Sequence, residues 1–461
     1  MAGTGATPQY PEKEKVATQM PGFADTLSPE EIAALAQWIY TPVNPVPSWS
    51  DADIRALRLD MPGAGDLPAH PAWRADPMNL FVVVEGGDHH VSLVDGDHFE
   101  VIHRFASRFA LHGGPKFTPD GRFVFFSSRD GWITRYDLWN LTVAADVRAR
   151  LNMRNVAVSS GGCWVLAANF LPNTLALFDA DLNLVRAYPA GTLDGKGSSR
   201  VSAVHDAAPH ESFVVALKDI AELWEISYNS KAEPIFDGLV HDYEMGDAIA
   251  KPGFLGVRRT PLDDFFFDQS YRHAISTPRP KDGSVSQAQV VNLDVRRRIA
   301  SFPLPGMPHL GSGITFAWNG TTVLAPPNLT DGAVTVVDMK TWRVLKTIAA
   351  PGAGFFMRSH ENSPDAWVDS MMSLQASDTL TVIDKRSLEP VGQVREPGRT
   401  LSHIEFTRDG RYALASLMEP DGALVVYDAT TLQEDKRLPM RKPIGKYDIW
   451  NKISRSEGTS H

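Results

Sequence analysis

The sequence predicts an all-β fold, an eight-bladed β-propeller preceded by a short α-helical segment, and three observations carry that expectation. From about residue 78 onward, alternating apolar stretches are punctuated by Asp-Gly and other Gly-rich turns, the pattern of short antiparallel strands. An aliphatic run ending in Asp recurs at Asp95 (VSLVD), Asp137 (ITRYD), Asp179 (LALFD), Asp294 (VVNLD), Asp338 (VTVVD), Asp384 (LTVID) and Asp428 (LVVYD). Neighbouring members stand 42 to 46 residues apart, except for a 115-residue gap between Asp179 and Asp294. LWEISY around Ser227 fills the missing beat if the next unit carries an insertion of roughly twenty residues, which makes eight units. Finally, FTPDGRFVFFSSRDGWITRYD and FTRDGRYALASLMEPDGALVVYD repeat one order of strand, Asp-Gly turn, strand, turn and strand. One such sheet cannot cover both of its faces, so the units stack on their neighbours and a closed ring covers them all.

Residues 1–45 break the pattern. In LSPEEIAALAQWIY, Ser28 is an N-cap, Pro29 suits the first helical position and Glu31 completes a capping box. Ile32, Leu35, Ala36 and Ile39 then recur at helical spacing as one apolar stripe. The Pro-rich TPVNPVPSW leads into a linker placed at 46–77, and the propeller occupies 78–461. Within it, NSKAEPIFDGLVHDYEMGDAIAKPGF reads as a long loop belonging to the insertion, near the mouth or an edge.

With 461 residues, 43% of them hydrophobic, the chain can bury a large core. A net charge of -10 and a pI near 5.8 exclude a basic surface for nucleic acid, so an anionic ligand must meet a local arginine cluster. The single cysteine, Cys163, excludes an intrachain disulfide, a cysteine-based zinc site and covalent haem attachment through C-x-x-C-H. Followed by Trp164 in a strand, Cys163 reads as a small buried hydrophobe. No run of eighteen apolar residues predicts a membrane span, and MAGTGATPQYPEKEK lacks the order of a signal peptide.

Propellers bind ligands where the loops leading into the innermost strands converge. His112 stands at that phase in the second unit, Arg154 in the third, Arg200 in the fourth, His309 in the sixth and His403 in the eighth. Any one of them alone could simply satisfy turn backbone. Three imidazoles and two guanidiniums at one phase suit a flat, polycarboxylate, iron-containing tetrapyrrole, since imidazole ligates iron and guanidinium pairs bidentately with carboxylate. His89 and His90 are adjacent and so point apart, His360 reads as structural, and His205, His210, His241 and His273 have no repeat phase.

From about residue 78 to the end, the chain resembles the haem d1-binding propellers of cytochrome cd1 nitrite reductase and its relatives in haem d1 biosynthesis. LHGGPKFTPDGRFVFFSSRDGWITRYDLW resembles the segment with the axial iron histidine, MPHLGSG one with a distal histidine, and KPIGKYDIWN the closing segment. The resemblance implies His112 as the haem d1 iron ligand, His309 above the macrocycle, and Arg154 and Arg200 on its carboxylates. PGFLGVRR puts Gly256 where the reductases carry a second distal histidine, which disfavours nitrite reduction. His403, outside the reductase pattern, could supply a different distal ligand or a base.

MPGFADTLSPEEIAALAQWIYTP resembles the C-terminal end of a cytochrome c, in which Met20 would be a haem c iron ligand. No C-x-x-C-H precedes it, so the resemblance implies an N-terminally truncated cytochrome segment and a haem c expected only in the full-length family member. The activity implied is dehydrogenation of a propionate side chain of dihydro-haem d1 to the acrylate of haem d1, with electrons passed onward. His309 or His403 would take the proton and the arginines would hold the carboxylates. The implied partners are the haem d1 precursor, cytochrome cd1 nitrite reductase and other haem d1 biogenesis proteins, and the implied location is the periplasm. A non-catalytic haem d1 carrier, a nitrite reductase and a cofactor-free interaction propeller remain the alternatives.

Overall fold

The recurring Asp closes the turn after each unit's third strand. Asp95 Oδ1 accepts from the backbone N–H groups of Asp97 and His98, Asp137 Oδ1 from Trp139 and Asn140, and Asp428 Oδ1 from Thr430 and Thr431. A carboxylate that replaces backbone acceptors is a turn former, so its spacing marks the units. In the fifth unit that position is held by Asn292, the last residue of the strand Gln287–Asn292, whose Oδ1 accepts from Val295 N–H. Asp294 lies beyond the strand end, facing Arg272 and His210. In the fourth unit Ser227 takes the place, accepting from Asn229 N–H.

The structure, a computed structural model, describes residues 26–41, 48–60, 68–192, 195–220, 222–231, 255–258, 265–268, 270–277 and 286–454. Its strands form eight antiparallel sheets, seven of four strands and one of five, which are the eight blades of a propeller. Blade one is closed by the end of the chain. Pro443–Asp448 pairs with Leu80–Glu85 as that blade's innermost strand, with Tyr447 opposite Val82 and Lys446 opposite Val83. The innermost strands of blades two, three and four are Lys116–Phe117, Asn152–Val158 and Val201–Ala207, and those of blades seven and eight are Met357–Ser359 and Leu401–Phe406.

Adjacent blades share apolar layers. Leu401, Ile404, Phe406 and Val425 of blade eight pack with Trp367, Leu380 and Val382 of blade seven, all fully buried. Each such side chain contributes about 1.5–3 kcal/mol on burial. Outermost strands such as Arg343–Ala349 are largely exposed, whereas Leu401–Phe406 is buried along its whole length. Functional groups on the inner strands are therefore held by the core itself.

The helix Pro29–Ile39 starts as expected, with Ser28 and Glu31 completing the capping box. Its apolar stripe is only partly used: Ile32 is buried, whereas Leu35 and Ile39 are exposed. The stretch expected as linker contains a second capped helix, Asp51–Ala56, whose Ile54 packs against Phe125 and Val147. The strand Arg58–Asp60 follows and adds the fifth strand to blade two. Cys163 is exposed, contrary to the expectation of burial, because it sits in the turn before the strand Trp164–Leu171. Met20, His241 and all of the insertion loop after Lys231 lie outside the described residues. Among the described residues no helix is long and apolar enough to cross a membrane.

Candidate functional site

The innermost strands and the turns leading into them enclose a central cavity of about 310 Å³. Its lining brings together His112, Arg154, His309 and His403, four of the five residues that the repeat phase selected in the propeller. Each is set differently.

His112 precedes Gly113 and Gly114, and the reason for that order is spatial. Its backbone is fixed on both sides, N–H donating to Ser127 O at 2.8 Å and C=O accepting from Ser127 Oγ at 2.6 Å. Gly113 has φ +71°, and a Cβ there would meet Asn155 Cβ at 2.8 Å. A Cβ on Gly114 would stand 3.0 Å from the Tyr447 ring. The two glycines thus let the imidazole and the tyrosine both reach the cavity. His112 Nδ1 lies 2.8 Å from Arg154 O, which can only accept, so Nδ1 carries the hydrogen and Nε2 the lone pair. This is the tautomer of a metal-ligating histidine oriented by a carbonyl. Arg154 Nη1 donates to Nε2 at 3.0 Å, while its Nε donates to Ser202 O at 3.1 Å.

His309 stands just ahead of a single 3₁₀ turn, Leu310–Ser312, with its N–H held by Pro327 O. Its Nδ1 is 2.9 Å from Phe355 O, which gives the same tautomer as His112. The His309 ring packs on Phe355 at 4.0 Å, Phe355 on Phe356 at 4.6 Å, Phe356 on His403 at 4.4 Å and His403 on Tyr447 at 5.2 Å. One side of the cavity is therefore a continuous aromatic wall, the kind of surface that holds a flat ligand.

His403 is 1% exposed and has φ +50° at a bulge in the inner strand of blade eight. A bulge re-aims a side chain, and here it turns the imidazole towards the cavity. Its Nδ1 accepts from the Lys446 N–H at 3.4 Å, so the hydrogen is on Nε2, the opposite tautomer to His112 and His309. Burial, then the neighbouring Lys446, Arg358 and Lys452 cations, hold its basicity well below the usual histidine range. Behind it lie Arg358, Asp369, Glu405, Lys446 and Asp448, all buried. Burial pushes Lys446 well down, Lys452 down to about 7, Asp448 well up and the Tyr447 hydroxyl up to about 12.

The structure leaves Arg200 outside the cavity lining. It is engaged with Asp219, Nε to Oδ2 at 2.9 Å and Nη2 to Oδ1 at 2.6 Å, with 45% of its side chain exposed. Ser202, Ala203 and, farther along, His205 line the cavity from this strand, whose register is broken between Val201 and Ala203. His205 packs edge-on against Phe265 at 4.8 Å. Arg358 and Tyr447 also line the cavity and were missed by the repeat phase. Gly256 pairs with Trp224 in the outermost strand of blade four.

The Cytochrome D1 heme domain family profile matches residues 75–452 of this chain. A dihydro-heme d1 dehydrogenase of Pseudomonas aeruginosa is 51% identical over 448 residues, covering 96% of this chain and 86% of that protein. Protein NirF of Stutzerimonas stutzeri is 27% identical, covering 80% of this chain and 90% of its own. A nitrite reductase of the same organism is 22% identical, covering 94% of this chain and 82% of the reductase. A solved structure described as dihydro-heme d1 dehydrogenase NirN in complex with DHE superposes with a TM-score of 0.83 at 50% identity, covering 95% of this chain and 90% of that one.

Proposed function

Because the chain belongs to the Cytochrome D1 heme domain family, we propose that it binds dihydro-haem d1 in the central cavity and oxidises a propionate side chain to the acrylate of haem d1. The observation that carries this reading is identity at half of all positions, over nearly the whole chain, with a dihydro-haem d1 dehydrogenase. The cavity suits the substrate: an imidazole with its Nε2 lone pair directed by a carbonyl, an aromatic wall and buried cations for carboxylates.

His112 takes the iron of the substrate through Nε2. For that to happen Arg154 must release the nitrogen it now caps, and its guanidinium then turns to a carboxylate of the macrocycle. The reaction removes two hydrogens from adjacent carbons, and its two electrons pass through the macrocycle to an acceptor. His309, whose Nε2 carries the lone pair, takes a proton. His403, which is weakly basic and carries its hydrogen on Nε2, orients the reacting arm. Tyr447, kept protonated by burial, donates to the arm's carboxylate as charge develops on it.

The working location is the periplasm and the product's recipient is cytochrome cd1 nitrite reductase, a reading supported by relatives that include NirF and nitrite reductase. The test is anaerobic incubation of the protein with dihydro-haem d1 and an artificial electron acceptor, followed by extraction and mass measurement of the pigment. Loss of two hydrogens is expected. Bound but unchanged pigment would make the protein a carrier, and absence of binding would remove the tetrapyrrole altogether.

A further inference from the structure

Blade seven presents a buried cation that, among the described residues, has no carboxylate in ion-pair contact. Arg358, on the inner strand Met357–Ser359, is 3% exposed and lines the cavity. Its Nη1 donates to the carbonyl of its own neighbour, Met357 O, at 2.6 Å, while its Nε is buried without an acceptor. Glu405 and Asp369 act on it only through space, and neither forms an ion pair with it. Asp369 is occupied by Ser402 Oγ and by the N–H groups of Phe355 and Phe356. Glu405 takes Asn451 Nδ2 on one oxygen and has Lys452 Nζ at 3.9 Å from the other. An unpaired guanidinium in such a place is costly unless an anion arrives to meet it.

The cation also sits beside the groups assigned to the reaction. Its charge is felt by both His403 and Tyr447, whose rings pack against each other. We propose that Arg358 receives the carboxylate of the arm that is dehydrogenated, and so selects which carboxylate side chain of the macrocycle reacts. This rests on the proposed function and adds the positional choice to it. Only two carbons separate that carboxylate from the ring, so a bidentate pair with Arg358 fixes both reacting carbons against Tyr447 and His403. One C–H bond breaks at each carbon, a C=C bond forms, two electrons go to an external one-electron acceptor in two steps, one proton goes to His309 and the other to solvent. Arg358 itself neither gains nor loses a proton.

The test is a cycle between protein and substrate, using full-length Arg358→Met and Arg358→Lys with dihydro-haem d1 and with its monoester at the reacting arm. Binding is read by optical titration and product by mass. Wild type should prefer the acid to the ester by about 30-fold or more, and Arg358→Met should lose that preference. Ligand-free Arg358→Met should also unfold at a higher temperature than wild type, since a buried unpaired charge is gone. Arg358→Lys, keeping charge without the fork, should still prefer the acid but turn over more slowly. A preference as large in Arg358→Met as in wild type, or unchanged turnover, would overturn the proposal. Failure of wild type itself to bind or convert the substrate would instead remove the functional assignment beneath it.

Discussion

At His112 the imidazole is half-buried, tied through Nδ1 to a carbonyl and capped at Nε2 by Arg154, so both of its nitrogens have partners before any ligand arrives. On the other side of Tyr447, His403 is fully buried beside Lys446, Arg358 and Lys452, with the opposite tautomer and depressed basicity. The first wall is satisfied by exchange, because a guanidinium that caps a nitrogen can be traded for iron and then for a carboxylate. The second holds Arg358 with no carboxylate in ion-pair contact among the described residues, Glu405 and Asp369 acting on it only through space. A ligand binding both walls thus replaces contacts on one side and supplies missing ones on the other. Affinity should depend on the first, and the position of reaction on the second.

The largest effect should come from breaking the first wall. His112→Ala removes the proximal nitrogen, and dihydro-haem d1 should bind about 100-fold more weakly or worse, with the optical signature of axial imidazole lost. Unchanged binding spectra in that variant would mean that the iron is held elsewhere. Next come the groups that move protons. His309→Ala should lower the rate about 10²–10⁴-fold, whereas His403→Ala should cost about tenfold or less because its imidazole is a poor base where it stands. Tyr447→Phe keeps the ring in the slot left by Gly114 and Gly445, so binding should persist while the rate falls about 100-fold. Single-turnover rates measured on saturated protein would separate these outcomes, and equal losses for the two histidines would mean that burial does not weaken His403 as a base.

The first wall was more legible in the sequence than the second, for a physical reason. Asp at strand ends and Asp-Gly turns act locally, so their spacing exposed the blades, and His112, Arg154, His309 and His403 followed from repeat phase. The second wall is assembled across the ring closure, where the C-terminal strand Pro443–Asp448 delivers Lys446 and Tyr447 to blade one. No repeat phase marks residues on a strand that belongs to a blade begun some 360 positions earlier. Arg358 was missed because arginine reads as solvated by default, and burial is not written in a local pattern. Arg200 stands just before the inner strand Val201–Ala207 and is engaged by Asp219, a pairing that its phase in the repeat does not reveal. The capped helix Pro29–Ile39 was legible to its first residue, but what its exposed stripe faces was not.

A smaller effect would measure the strain in the second wall directly. Burial holds Lys452 down at about 7, against an ordinary lysine near 10.4. Between those values the unfolded chain binds more protons than the folded one, so stability rises with pH through the window. The cost of the charged form is fully present below pH 7 and is relieved above it. Asp448, pushed up by burial, pulls the other way on the acid side, so the informative quantity is the difference between wild type and Lys452→Met. Urea unfolding at pH 7 and pH 9 should show wild type gaining about 1–2 kcal/mol more than the variant. Equal gains would mean that Lys452 is solvated and that the wall is less strained than its burial implies.

The smallest effect expected is that of Arg200→Ala, and it tests where the first wall ends. Arg200 and Asp219 form a pair with 45% and 36% of their side chains exposed, a kind worth about 0–1 kcal/mol. Because neither residue lines the cavity, binding of dihydro-haem d1 should change less than about threefold, within what a surface pair can transmit. Arg154→Ala is the counterpart: it should uncap His112 Nε2 and remove a carboxylate partner, so it weakens binding while making the proximal nitrogen easier to reach. Titrations of both variants at low and high salt would separate the two positions. If Arg200→Ala proved as damaging as Arg154→Ala, Arg200 would have to leave Asp219 and reach the ligand, and the arginine cluster would extend one blade beyond the cavity seen here.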